Sequence, residues 1–165
     1  MLRIWLIDDD DSYVMLAERA LSGDPRLAGR YEIERKRDGD EALRSLGTSE
    51  PLPDLILLDH RMPRMDGTEV LSRIRGDERL RGLPVCMMST SSDPSHIERC
   101  YAYGATFCVS KPLEFEQLVA KLRAICGFVL DVMELPDRRA ARPARGALRK
   151  AGQAPVRLRT QLAPG

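Results

Sequence analysis

Five side chains in this chain could together handle a phosphoryl group. They are Asp8, Asp9, Asp59, Ser89 and Lys111. Asp59 ends the uninterrupted apolar run Leu55–Leu58, and Met62, Pro63, Asp66 and Gly67 follow it. A short apolar run bounded by turn residues reads as a strand buried on both faces. A carboxylate at its end is a metal ligand, a nucleophile or a helix cap. Asp8 and Asp9 end a second such run, Leu2–Ile7, and open an acidic stretch through Asp11. Carboxylates brought together repel one another unless a cation offsets them. Mg²⁺ suits hard oxygen ligands, and Lys111, just after a third apolar run, supplies a fixed ammonium. Ser89, with Thr90 beside it as the competing hydroxyl, ends a fourth run. Two metal carboxylates, a central carboxylate, a hydroxyl and an ammonium form a set suited to phosphoryl transfer, which asks for an in-line nucleophile and cations around the transferred oxygens.

The elements that must position these groups alternate strictly. Strands are expected over 2–7, 31–37, 55–58, 85–88 and 106–109. Helices are expected over 13–22, capped by Asp11 or Ser12; from Asp38-Gly39-Asp40 to Gly47; over 68–76; from Asp93-Pro94 to Gly104; and from Pro112 through Ile125. Five strand–helix units argue for an α/β fold, a doubly wound parallel sheet. The polar second strand belongs at an edge, which gives the order 2-1-3-4-5. Strands one and three are then neighbours, and Asp8, Asp9 and Asp59 meet at the carboxyl edge of the sheet.

The 165 residues are enough for one domain plus a tail, and 43% are apolar against 5% aromatic, so the core must be mainly aliphatic. The net charge of +1 points to neither nucleic acid nor a membrane surface. It conceals an asymmetry: residues 1–127 carry 18 basic and 22 acidic side chains, a net −4, whereas 128–165 carry 8 and 3, a net +5. Residues 136–165 are rich in Arg, Ala and Pro and are expected to be a disordered tail, the alternative being a basic arm that binds nucleic acid weakly. Residues 128–135 form an apolar extension between the domain and that tail. Cys86, Cys100, Cys108 and Cys126 form no C-x-x-C pair and read as small buried hydrophobes in a reducing compartment. With no signal peptide and no run long enough to span a bilayer, the expected location is the cytoplasm. His96 is expected on the surface of its helix, and Trp5, Met87 and Met88 in the core.

The motifs Leu6-Ile7-Asp8-Asp9, Leu57-Leu58-Asp59 with Met62-Pro63 and Asp66-Gly67, Pro84-Val85 ahead of Ser89, and Gly104-Ala105 ahead of Lys111-Pro112 resemble those of the response regulator receiver domain of two-component signalling. The resemblance covers about residues 2–126 and implies the flavodoxin-like receiver fold. It also implies that Asp59 accepts phosphate from a histidine kinase and that Asp8, Asp9, Asp59 and the backbone carbonyl of Arg61 bind Mg²⁺. Ser89 and Lys111 would hold phosphoryl oxygens, and a cis Lys111–Pro112 bond would aim the lysine. Arg61-Met62-Pro63-Arg64-Met65-Asp66-Gly67, Leu83-Pro84-Val85 and Cys100-Tyr101 are similar to the single-domain regulators associated with phytochrome kinases. In those relatives a C-terminal extension can mediate a homodimer. The expected protein is a regulator that alters partner binding and is not an enzyme in its own right, with its downstream partner unnamed. Cys108 departs from the family, which usually places Tyr or Phe there as a switch. That departure sustains a phosphate-independent binding module as the alternative, beside an intermediate carrier in a phosphorelay.

Overall fold

The computed structural model describes residues 1–91 and 93–134. The chain runs β1 (Leu2–Ile7), α1 (Asp11–Ser22), β2 (Tyr31–Lys36), α2 (Gly39–Thr48), β3 (Leu55–Asp59), α3 (Gly67–Gly76), β4 (Val85–Ser89), α4 (Pro94–Ala102), β5 (Phe107–Ser110) and α5 (Phe115–Asp131). All four strand pairings are parallel, and the order is β2-β1-β3-β4-β5. The expected five-stranded doubly wound sheet is therefore present, with β2 at the edge. The tail expected to be disordered over 136–165 lies outside the described residues, as does Leu135 of the apolar extension.

Strand side chains point alternately to the two faces, and each face has its own core. Trp5, Ile7, Ile56, Leu58, Val85 and Met87 meet Ala42 and Leu46 of α2, Val70, Leu71 and Ile74 of α3, and Cys100 of α4. On the other face Ile4, Leu6, Leu55, Leu57, Cys86 and Met88 meet Val14, Ala17 and Ala20 of α1 and Leu118, Leu122, Cys126 and Val129 of α5. The three central strands are apolar without alternation because both of their faces are covered. No helix among the described residues is long and apolar enough to cross a membrane.

Several element ends differ from the sequence expectation. Asp10, rather than Asp11 or Ser12, caps α1: it is extended (φ −82°, ψ 103°), and its carboxylate accepts from the amides of Ser12 and Tyr13. Helix α2 runs past Gly47 to Thr48. Helix α4 stops at Ala102, and Gly104 takes a positive φ of 93° in the turn that follows. Helix α5 begins at Phe115, not at Pro112. It continues through Phe128-Val129-Leu130, so these residues lie within the helix and not in an extension after it. Val129 prolongs the buried stripe of Leu118, Leu122 and Cys126, which keeps the helix rewarded beyond Gly127. His96 is also not a surface residue: it is 4% exposed, because it shares the inner face of α4 with Cys100 one turn on.

Candidate phosphoryl and metal site

Register brings the acidic side chains together. Ile7 of β1 is paired with Leu58 of β3, so Asp8 and Asp59 leave neighbouring strands at the same level. Asp59 is paired with Met88 and Ser89 with Ser110, which brings Ser89 and Lys111 to the same rim. The Lys111 amide donates to the Ser89 carbonyl at 2.6 Å, tying the β5 end to β4. Asp66 caps α3 and its neighbour Gly67 donates to the His60 carbonyl at 2.9 Å. A Cβ on Gly67 would collide with the Asp59 carbonyl oxygen and stand 3.0 Å from His60 Cα. Glycine at this position is thus what lets α3 begin directly against the end of β3.

Lys111 Nζ bridges two carboxylates, at 2.6 Å from Asp8 Oδ2 and 2.8 Å from Asp59 Oδ1. Asp8 is 1% exposed and Asp59 6%, whereas Asp9 stands exposed at the mouth. One carboxylate oxygen from each of the three lies within 4.8 Å of the others. Asp8 Oδ1 also accepts from the Asp10 amide at 3.0 Å. Burial pushes the Asp8 carboxyl above the usual range against the opposing pull of Lys111, and the Asp59 charge adds to the rise. Asp59 is raised in the same way, opposed by Lys111 and by the Arg61 amide, with Asp9 adding to the rise. Burial acts to depress Lys111, but its hydrogen bonds to Asp59 and Asp8 outweigh this and leave its pKa raised. Burial, with the neighbouring carboxylate charge adding to it, raises Asp8 and Asp59, and Lys111 opposes that rise without cancelling it. A hard divalent cation would add to that opposition. The residues therefore fit Mg²⁺ by donor type, by convergence and by charge.

Ser89 is buried at 1% exposure, and its Oγ accepts from the Ser91 amide at 3.1 Å. Thr90 is exposed. Arg61 is exposed and turns its amide toward Asp59. The expected cis bond at Lys111–Pro112 is not present; the cis X–Pro bond among the described residues is Glu50–Pro51. Lys111 needs no such bond here, since its ammonium already reaches both carboxylates. Cys108 is half-buried on the α3–α4 side of the sheet, and Phe107 packs on the opposite side, as strand alternation requires.

Two features escaped the sequence reading. The Tyr13 ring lies under the Lys111 ammonium, 4.1 Å from its centroid, and adds cation–π support to the ion pairs. Its position four residues before Ala17 puts it beside the buried stripe of α1 but gives no sign of the lysine. His60 packs edge-on against His96, with centroids 4.2 Å apart. Nothing in the sequence links these two residues, because the contact joins a strand end to a helix thirty-odd residues on.

A family model described as the response regulator receiver domain matches residues 4–123. Among curated proteins, the probable methanogenesis regulatory protein FilR2 of Methanothrix harundinacea is 40% identical over 119 residues, covering 70% of this chain and 75% of that protein. Response regulator PleD of Caulobacter vibrioides is 32% identical over 139 residues, which are 84% of this chain but 29% of that protein. Among solved structures, the phosphorylated cyanobacterial phytochrome response regulator RcpA superposes with a TM-score of 0.75 at 31% identity, covering 82% of this chain and 98% of that one. Response regulator RPA3017 in red light signalling of R. palustris gives 0.74 at 26% identity, covering 82% and 99%. The Mn²⁺-bound form of response regulator Rcp1 gives 0.73 at 27% identity, covering 82% and 99%.

Proposed function

The chain belongs to the response regulator receiver domain family of two-component systems, and from that membership we propose that Asp59 accepts a phosphoryl group from a histidine of a sensor kinase. The phosphorus–nitrogen bond of the phosphohistidine breaks as a bond forms from an Asp59 carboxylate oxygen, and the imidazole leaves. The observation that carries this reading is the convergence of Asp8, Asp9 and Asp59 around Lys111 at the carboxyl edge of the sheet. Asp8, Asp9, Asp59 and the Arg61 carbonyl would hold Mg²⁺. When bound, the ion would neutralise oxygens of the incoming group and remove the charge repulsion among the carboxylates. Lys111 exchanges its bonds to the two carboxylates for one to a phosphoryl oxygen, with Tyr13 keeping it in place. The Ser89 hydroxyl donates to another oxygen.

The protein is a phosphorylated switch that changes partner binding, slowly losing its phosphate to water, and not an enzyme that turns over a separate substrate. The likeness to the cyanobacterial phytochrome response regulator RcpA supports a phytochrome-type kinase as the donor, and we place the exchange in the cytoplasm. Cys108 favours a second reading, a module that binds its partner without phosphate, because a thiol cannot make the inward swing of a ring. Beryllofluoride, which mimics an aspartyl phosphate, separates the two. A fluorine-19 NMR signal of bound beryllofluoride that requires Mg²⁺ and is absent in Asp59→Asn supports phosphorylation; a folded protein with no such signal supports the phosphate-independent module.

A further inference from the structure

The outer edge of β2 carries a row of backbone groups with nothing against it. The Leu2 amide donates to the Arg30 carbonyl at 2.8 Å and the Asp8 amide to the Lys36 carbonyl at 3.1 Å, which sets the parity of the β1–β2 ladder. Glu32, Glu34 and Lys36 therefore turn their backbone groups to β1, and Tyr31, Ile33 and Arg35 turn theirs out of the sheet. Among the described residues those outward groups have no hydrogen-bond partner. The next outward amide, that of Arg37, is taken by the Glu41 carboxylate at 2.9 Å. An open row of this kind is a template for a further strand. Its side chains alternate between the faces. Tyr31 and Ile33 are half-buried against the α1–α5 core, and Glu32 and Glu34 project on the opposite face.

The far end of the chain has the complementary pattern. Residues 156–162 read Val-Arg-Leu-Arg-Thr-Gln-Leu between Pro155 and Pro164. Apolar or β-branched residues alternate with polar ones, the period of a half-buried strand. Laid parallel to β2, Val156 and Leu158 fall beside Tyr31 and Ile33, and Arg157 and Arg159 fall beside Glu32 and Glu34. A slip of one residue would put both arginines on the apolar face, so the match fixes the register. The other edge of the sheet offers no such match. Strand β5 has no acidic residue, and its Ser110 carbonyl is taken by Lys121 at 2.8 Å.

The route of the chain agrees. Asp131, the last residue of α5, pairs at 2.7 Å with Arg30, the residue before β2. The described domain thus ends beside the start of the open edge. Helix α5 covers the same face as α1, so a crossover through it onto the β2 edge has the right hand of β1–α1–β2. Residues 135–155, at up to about 3.3 Å each, reach any point along β2.

We propose that residues 156–162 of this chain add to the β2 edge as a sixth, parallel strand. The Ile33 and Arg35 amides then donate to the Arg157 and Arg159 carbonyls, and each arginine side chain meets a glutamate. The occupant is the chain's own segment because its tether holds it near the edge at a roughly millimolar effective concentration. The docking does not depend on phosphorylation of Asp59.

The test is amide hydrogen exchange of the full chain, followed by NMR at Ile33 and Arg35. Docking should slow both amides by about 10-fold relative to Leu158→Asp, which puts a charge on the apolar face of the added strand and alters no residue of the described core. Arg157→Glu with Arg159→Glu should lose the protection as well. Arg138→Glu with Arg139→Glu, the same change of charge elsewhere, should keep it. Equal exchange in the unaltered chain and in Leu158→Asp overturns the proposal. So does equal loss in the two arginine pairs, which marks attraction by charge without a strand. Protection that falls on dilution overturns it too, because the occupant is then the segment of a second copy.

Discussion

Lys111 carries the largest electrostatic responsibility of any residue here, because its ammonium is the counter-charge to two buried carboxylates. Removing one partner of a buried ionic set leaves the others uncompensated, which typically costs about 3–5 kcal/mol. Lys111→Met is expected to destabilise the fold by about 3 kcal/mol in metal-free urea denaturation, and Mg²⁺ should restore part of that loss by taking over as counter-charge. A variant as stable as the parent without Mg²⁺ would mean that the lysine is dispensable to the apo site. The residues of this site were legible because each ends an apolar strand, where α/β sheets place their chemistry. Tyr13 was missed because a tyrosine on an apolar helical stripe looks like core until the lysine beneath which it lies is known. His96 was misplaced for a related reason. Its burial follows from which face α4 turns inward, and a nine-residue helix with few large apolar residues leaves that face ambiguous.

At the scale of elements, α1, α3 and α4 each start on an aspartate: Asp10, Asp66 and Asp93. Asp38 does the same for α2. Hydrogen bonding to Thr68, then to the α3 amides, holds the Asp66 carboxyl below the usual range; the Glu41 amide, with Arg64 nearby, does so for Asp38. A carboxyl whose pKa is lowered on folding stabilises the fold above its unfolded value, near pH 4, and loses that contribution as pH falls through the folded value. Stability measured by urea midpoint should therefore decline below about pH 4 in part through these caps. Asp66→Ala should cost about 1 kcal/mol at neutral pH. Asp66→Asn should keep most of the cap while removing its share of the acid loss; an unaltered acid profile in Asp66→Asn would contradict this. The order of elements was readable from the alternation of apolar runs and turn residues. Their ends were less so. Four consecutive aspartates left the α1 cap ambiguous by one residue, and the α5 stripe was followed only to Ile125 although Val129 continues it.

The whole molecule is a sheet with a core on each face, so neighbouring residues on a central strand report on different cores. Leu57 faces α1 and α5, and Leu58 faces α2 and α3; they are 1% and 0% exposed. Leu57→Ala and Leu58→Ala should each destabilise by about 3 kcal/mol in equilibrium denaturation. A cost below about 1 kcal/mol at either position would show that its face is not a packed core. The same two-sided burial holds the ends of β1, β3, β4 and β5 in a fixed relation, which is what gathers the acidic side chains with Lys111. The central claim is that this gathering makes Asp59 a phosphoryl acceptor. The most direct test is intact mass after incubation with acetyl phosphate, with and without Mg²⁺, on the unaltered chain and on Asp59→Asn. One phosphoryl adduct that requires Mg²⁺ and disappears in Asp59→Asn is the result expected. No adduct on a folded chain shown to bind Mg²⁺, or an adduct that persists in Asp59→Asn, would contradict the claim.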